Sequence, residues 1–197
     1  MPTGDDAAAS VVPPVVLTTD RLLLRPFTDA DLDDVRAMRR HEEVARFLPS
    51  GVPTEAELVA ALSRKVARSA IEHEGDSLSL AVVERAGTTV VGDVTLTWTS
   101  AVHRQAELGG TFHPHHQGRG LAAEAGGALL ALAFEGLAAE RVVGRCHADN
   151  RASAALCERL GMRREAHFRH SLWLRGGWAD ELVYAVLSQE WRDRTAR

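Results

Sequence analysis

Apolar positions recur with two different periods along this chain, and the switches between them mark its elements. Arg21-Leu-Leu-Leu-Arg-Pro-Phe27 is a short apolar run that predicts a first strand. Thr28-Asp-Ala-Asp31 then has the composition of a helix start, with Thr28 as N-cap and Asp31 reaching back in a capping box. Leu32, Val35 and Met38 follow at helical spacing. Pro53-Thr54-Glu-Ala-Glu57 repeats the device. It opens a second helix with Leu58, Leu62 and Val66 on one face, expected to run to about His73 and to stop at Gly75. Period-2 alternation takes over at residues 77–84 and, after the Ala86-Gly87 turn, at 90–99. There Val94, Leu96 and Trp98 face one way and Thr95, Thr97 and Thr99 the other.

A strand over 107–113 ends at Pro114, which cannot donate to a ladder. Small and apolar residues predict a helix over 119–136, and 142–147 reads as a fifth strand. Asp149-Asn150 caps a further helix with Leu156 and Leu160 on one face, and Gly161 ends it. Residues 168–174 and 182–187 read as a hairpin around Arg175-Gly-Gly-Trp178. The order β-α-α-β-β-β-α-β-α-β-β is a mixed α/β class. Residues 1–16 mix Pro, Ala, Gly and Asp without period and read as a mobile tail, leaving 17–197 as a single domain.

Composition narrows this picture by exclusion. The chain has 197 residues, 45% apolar and 25% charged, which suits one globular domain. A net charge of -4 offers no basic field to nucleic acid. No apolar run is long enough to span a bilayer. The acidic start, Met1-Pro-Thr-Gly-Asp-Asp6, is unlike a signal peptide, so a cytoplasmic protein is expected. Cys146 and Cys157 form no metal-type pair and read as small buried residues in a reducing compartment.

The chemistry concentrates in residues 106–122, Ala-Glu-Leu-Gly-Gly-Thr-Phe-His-Pro-His-His-Gln-Gly-Arg-Gly-Leu-Ala. Gly118 and Gly120 permit backbone torsions that other residues resist, and a helix start follows directly, a natural anion cradle. Neither G-x-G-x-x-G nor a P-loop is present. Gln117-Gly-Arg-Gly-Leu-Ala122 instead fits Q/R-x-x-G-x-G/A, the signature of the GCN5-related N-acetyltransferase (GNAT) superfamily, which the chain resembles over roughly 17–191. Ala106-Glu-Leu-Gly…His-Pro and Asn150-x-x-Ser…Leu160-Gly-Met162 look like its ribosomal-protein N-terminal acetyltransferase branch, the RimJ/RimL-like one.

The resemblance implies a three-layer fold: a central twisted mixed sheet of about seven strands, splayed between strands 4 and 5, with helices on both faces. It implies acetyl-CoA as co-substrate, its pyrophosphate wrapped by the amides of Gln117, Gly118, Arg119, Gly120, Leu121 and Ala122. By the same resemblance, backbone groups at Phe112 and His113 are expected to hold pantetheine and an amide there to polarise the thioester carbonyl. The resemblance also implies that Asn150 contacts the cofactor while capping its helix, that Ser153 lies beside the sulfur, and that Glu165 is a base. Many relatives carry an acid Tyr where this chain has Cys157; Tyr184, the single tyrosine, stands far along the sequence.

Glu107 keeps two readings open. Alternation puts it on one face with Gly109, Thr111 and His113, where it is either an ion-paired structural group or a base for the incoming ammonium. His113-Pro-His115-His116 lacks the partners of a metal motif, and no metal is expected. The acceptor expected is a protein N-terminal α-amine, with a small-molecule amine as the alternative. A non-catalytic acyl-CoA-binding module and a plain interaction domain are the rival functions. Nucleic acid and membrane are not expected partners; a homodimer is compatible with all of these readings.

Overall fold

The computed structural model describes residues 10–11, 15–48 and 51–196. Its elements run β1 (Leu17–Thr18), β2 (Leu22–Pro26), α1 (Leu32–Arg40), α2 (Glu42–Ala45), α3 (Glu55–Ala67), β3 (Ser77–Glu84) and β4 (Val90–Ser100). They continue with β5 (Gln105–Phe112), α4 (Leu121–Ala131), a π turn Leu132–Gly136, β6 (Arg141–His147), α5 (Arg151–Arg159), β7 (Arg163–Leu174), β8 (Gly177–Leu187) and α6 (Ser188–Thr195). One mixed sheet has the order β1-β2-β3-β4-β5-β6-β8-β7. The eighth strand, beyond the seven expected, is the two-residue β1.

Alternation along the strands divides two cores. Leu78, Leu80, Val94, Leu96, Ala106 and Val142 join Leu121, Ala125, Leu129 and Leu130 of α4 on one face. On the other, Ala81, Val83 and Val90 meet Val35 of α1 and Leu58 and Leu62 of α3. Every neighbouring pair is antiparallel except β5–β6, which is parallel. That pair runs only from Gln105↔Arg141 to Leu108↔Gly144. Beyond it Gly109–Phe112 and Arg145–His147 part company, so the sheet splits where the resemblance placed the splay.

Three expectations need correction. The second helix stops at Ala67, because Ser69 bridges Leu78 and Ile71 bridges Val11, drawing the chain back beside the sheet. Its inward face is also rotated: Val66 is 36% exposed, and Lys65 points in to form a buried ion pair with Asp93. The terminal hairpin starts earlier than read, from Arg163, and α2 and α6 follow no pattern that the sequence reading recognised. Within the expected tail, Val11 and Val15 are buried, while the rest of 1–14 apart from Ser10 lies outside the described residues.

Candidate active site

The split places polar backbone where a sheet would normally consume it. The His113 N–H donates to Val91 on β4 at 2.9 Å. Along an antiparallel strand successive residues turn their main-chain groups to opposite sides. The N–H groups of Gly110 and Phe112 therefore face the gap. The Phe112 carbonyl is held by Gln117, whose Nε2 donates to it at 3.0 Å. Glycine at 110 is a packing requirement, since a Cβ there would stand 2.6 Å from the Asp93 carbonyl oxygen.

At the end of β5 the chain makes a short turn at Pro114–His116 and enters the glycine loop. Gly118 (φ +74°) and Gly120 (φ +81°) take left-handed torsions, so α4 begins at Leu121 rather than 119. The first bond of α4 runs from the Glu124 N–H to Gly120 at 3.1 Å. Among the described residues, the N–H groups of 118–123 donate to no acceptor in the protein, whereas the Gln117 N–H, expected in the same cradle, is taken by the Pro114 carbonyl at 3.1 Å. Such a ring of free donors at a helix start is suited to phosphate. The Arg119 side chain, by contrast, grips Glu84 of β3 at 2.8 and 2.7 Å, and His116 joins at 2.9 Å. That guanidinium holds the Glu84 carboxyl below the usual carboxylate range.

On the face opposite α4, Glu107 and Arg145 straddle the point where β5 and β6 separate. The Arg145 Nε stands 3.3 Å from Glu107, and its Nη1 donates to Glu181 of β8 at 3.1 Å. Glu165 is elsewhere. It pairs with Arg141, four residues before Arg145 on β6 and about 13 Å away along the strand. Hydrogen bonds from Arg141 keep its carboxyl below the usual range. Asn150 caps α5 by accepting the Ser153 N–H at 3.1 Å.

Cys157 lies over the backbone of β6, where Gly144 leaves it room: a Cβ at 144 would be 3.1 Å from the sulfur. Burial pushes its thiol up to about 12. Tyr184, distant in sequence, is near in space. It pairs across β6–β8 with Gly144, and its hydroxyl reaches Glu158 of α5 at 3.3 Å. His41 joins the loop histidines, its ring centroid 5.6 Å from that of His113 and 5.9 Å from that of His115. Burial, then the neighbouring imidazoles, push His113 below the usual histidine range. Among the described residues no group of three or more His, Cys, Asp and Glu side chains is arranged to hold a metal ion.

Residues 21–163 match the Acetyltransferase (GNAT) domain family. The chain belongs to the GNAT acetyltransferases. YnaD, an uncharacterized N-acetyltransferase of Bacillus subtilis (strain 168), is 30% identical over 89% of this chain and 98% of its own. YdaF of the same organism, provisionally named a ribosomal N-acetyltransferase, is 31% identical over 52% of this chain and 56% of its own. The solved structure of a GNAT-family acetyltransferase from Bacillus anthracis superposes with a TM-score of 0.79 at 26% identity, covering 89% of this chain and 99% of that one.

For a GNAT enzyme, which takes its acetyl group from acetyl-CoA, the split sheet and the loop-to-α4 turn supply two kinds of donor. The free amides of 118–123 suit a diphosphate, and those of Gly110 and Phe112 suit an extended amide chain lying along β5. Among the described residues no helix is long and apolar enough to cross a membrane. Sequence reading missed Arg21, whose Nη1 donates to the Arg119 carbonyl at 2.9 Å inside the glycine loop. No local signal could have found it, because the partners are 98 residues apart.

Proposed function

We propose that the protein transfers the acetyl group of acetyl-CoA to the α-amine at a protein N-terminus, by direct attack within one cleft. The observation that carries this reading is the pair of free-amide sets on one connected segment, Gly110 and Phe112 facing the split on β5 and 118–123 at the start of α4. The name of YdaF and the order of the motifs support a protein acceptor over a small-molecule amine. Acetyl-CoA supplies an acyl group activated as a thioester.

The chain's residues do the rest. The amides of 118–123 hold the diphosphate, and the N–H groups of Gly110 and Phe112 align the arm and face the acyl oxygen, where preset donors favour growing negative charge. Glu107, at the head of the split, takes the proton of the incoming ammonium, directly or through water. Ser153, in the first turn of α5, donates toward the departing sulfur. Cys157 and Tyr184 do not form covalent or acid steps in this scheme. Bringing both reactants to one cleft supplies the proximity contribution.

Calorimetric titration tests the cofactor site. Gly120→Val, which cannot adopt φ +81° without strain, should weaken acetyl-CoA binding at least tenfold, about 1.4 kcal/mol. Unchanged affinity would remove the reading. Acetylation of a pool of peptides with free N-termini, compared with polyamines and amino acids, tests the acceptor class. Modification of the small amines alone would overturn it.

A further inference from the structure

Arg21 immediately precedes β2 yet belongs, by its contacts, to the glycine loop. Its Nη1 donates to the carbonyl of Arg119 at 2.9 Å. Its Nε donates to Glu124 of α4 at 2.7 Å, and its own N–H donates to the second oxygen of that carboxylate at 2.9 Å. The Thr19 hydroxyl donates to the same oxygen at 2.5 Å. The guanidinium is thus fixed from one side by the first turn of α4 and meets the loop backbone on the other. It lies close to Gly120, where a Cβ would stand 3.4 Å from Nη2.

The consequence follows from peptide geometry. A trans peptide is planar, so the Arg119 carbonyl and the Gly120 N–H point in opposite directions. Anchoring that carbonyl on Arg21 aims the Gly120 N–H away from Arg21, and that N–H has no acceptor in the protein among the described residues. Glycine at 120 resists a reversal of this peptide poorly, because both signs of φ are open to it. The loop's own cation gives no help: Arg119 is committed to Glu84. One side chain therefore decides which way this donor faces.

We propose that Arg21 is a positioning residue of the cofactor site, locking the 119–120 peptide so that the Gly120 N–H is preset for a diphosphate. The inference rests on the reading that residues 118–123 hold the diphosphate of acetyl-CoA. It assigns Arg21 no contact with the reacting atoms. It also gives the Arg21–Glu124 pair, half-exposed on the arginine side, a purpose beyond surface ion pairing, which contributes little by itself.

Binding of coenzyme A by calorimetry and of S-acetylpantetheine by NMR would be compared for the wild type, Arg21→Met and Arg21→Lys. Arg21→Met should lose about tenfold in coenzyme A affinity, the scale of one preset hydrogen bond, with S-acetylpantetheine binding unchanged. Arg21→Lys, which keeps one donor for the Arg119 carbonyl, should recover part of that loss. The Gly120 amide and Arg119 carbonyl NMR shifts should move in Arg21→Met and return toward wild type in Arg21→Lys. Wild-type coenzyme A affinity in Arg21→Met overturns the inference, as does an equal loss for both ligands. Should Arg21→Met not fold, Arg21→Lys decides: a loss of coenzyme A affinity together with a displaced Gly120 signal supports the inference, and either change without the other, or neither, overturns it. A wild-type protein that binds no coenzyme A refutes the underlying site instead.

Discussion

Glu107 and Glu165 are chemically the same group in different company. Arg141, with Arg163 beyond it, holds the Glu165 carboxyl below its usual range, which makes it a weaker proton acceptor. Glu107 shares a single arginine, Arg145, with Glu181 and stands where the strands part. Glu107→Gln should lower turnover and flatten the acid limb of the rate profile while acetyl-CoA affinity stays within twofold, whereas Glu165→Gln should leave that limb in place. Steady-state kinetics across pH 5 to 9 would check this, and the opposite pattern would move the base to Glu165. Alternation placed Glu107 on its face from sequence alone. It could not choose between the two carboxylates, because Arg141 and Arg145, their principal partners, reside on β6 and are brought near only by the fold. The same holds for Tyr184, whose neighbour Glu158 is 26 residues away.

Among the elements, β3 and β4 could be read almost to the residue, since period-2 alternation is a local property of the strand. The capping boxes at Thr28–Asp31 and Thr54–Glu57 were equally readable, and both form. The end of α3 was not, because the residues that stop it pair with Val11 and Leu78. Nor was the inward turn of Lys65, which depends on Asp93 of β4. The β4–β5 contact carries a prediction of its own. Gly110→Ala would drive a methyl against the Asp93 carbonyl, a backbone atom that cannot swing aside. It should cost about 1–3 kcal/mol in denaturant unfolding, typical of overpacking, and weaken acetyl-CoA binding through the displaced Gly110 amide. A variant as stable as wild type would contradict the packing argument.

At the scale of the whole molecule, carboxylates tie distant segments together. Glu84 joins β3 to the glycine loop, Glu124 joins α4 to the turn before β2, and more locally Asp31 ties the start of α1 to Arg25 of β2. Burial alone would raise the Asp31 carboxyl, but hydrogen bonds from Arg25 and the Thr28 N–H outweigh it and leave it below its usual value. A depressed folded-state value means that the stabilisation is fully present above the unfolded value, about 3.9, and is lost as pH falls through the folded one. Asp31→Asn should therefore destabilise the protein by about 1–3 kcal/mol at pH 7, the range for hydrogen bonds to a charged group. The gap to wild type should narrow as pH falls below the unfolded value toward the depressed folded one. Thermal melts at pH 7 and pH 3 would check this; a constant difference would exclude the linkage.

The parting of β5 from β6 also bears on how such a sheet avoids its own kind. Unpaired strand backbone invites a stranger's strand, and proteins usually blunt it at the rim of the sheet. Here the outermost strands are either two residues long, as in β1, or studded with Arg163, Arg164, Glu165, His167 and Arg169, as in β7. The uncharged stretch Gly109–Phe112 is kept in the interior of the sheet, under the converging flank of β6. A foreign polypeptide would have to thread a wedge that narrows to a closed seam. A slender, flexible chain bearing a few amides meets no such obstacle, so the same wedge that admits a cofactor arm excludes aggregation by strand addition.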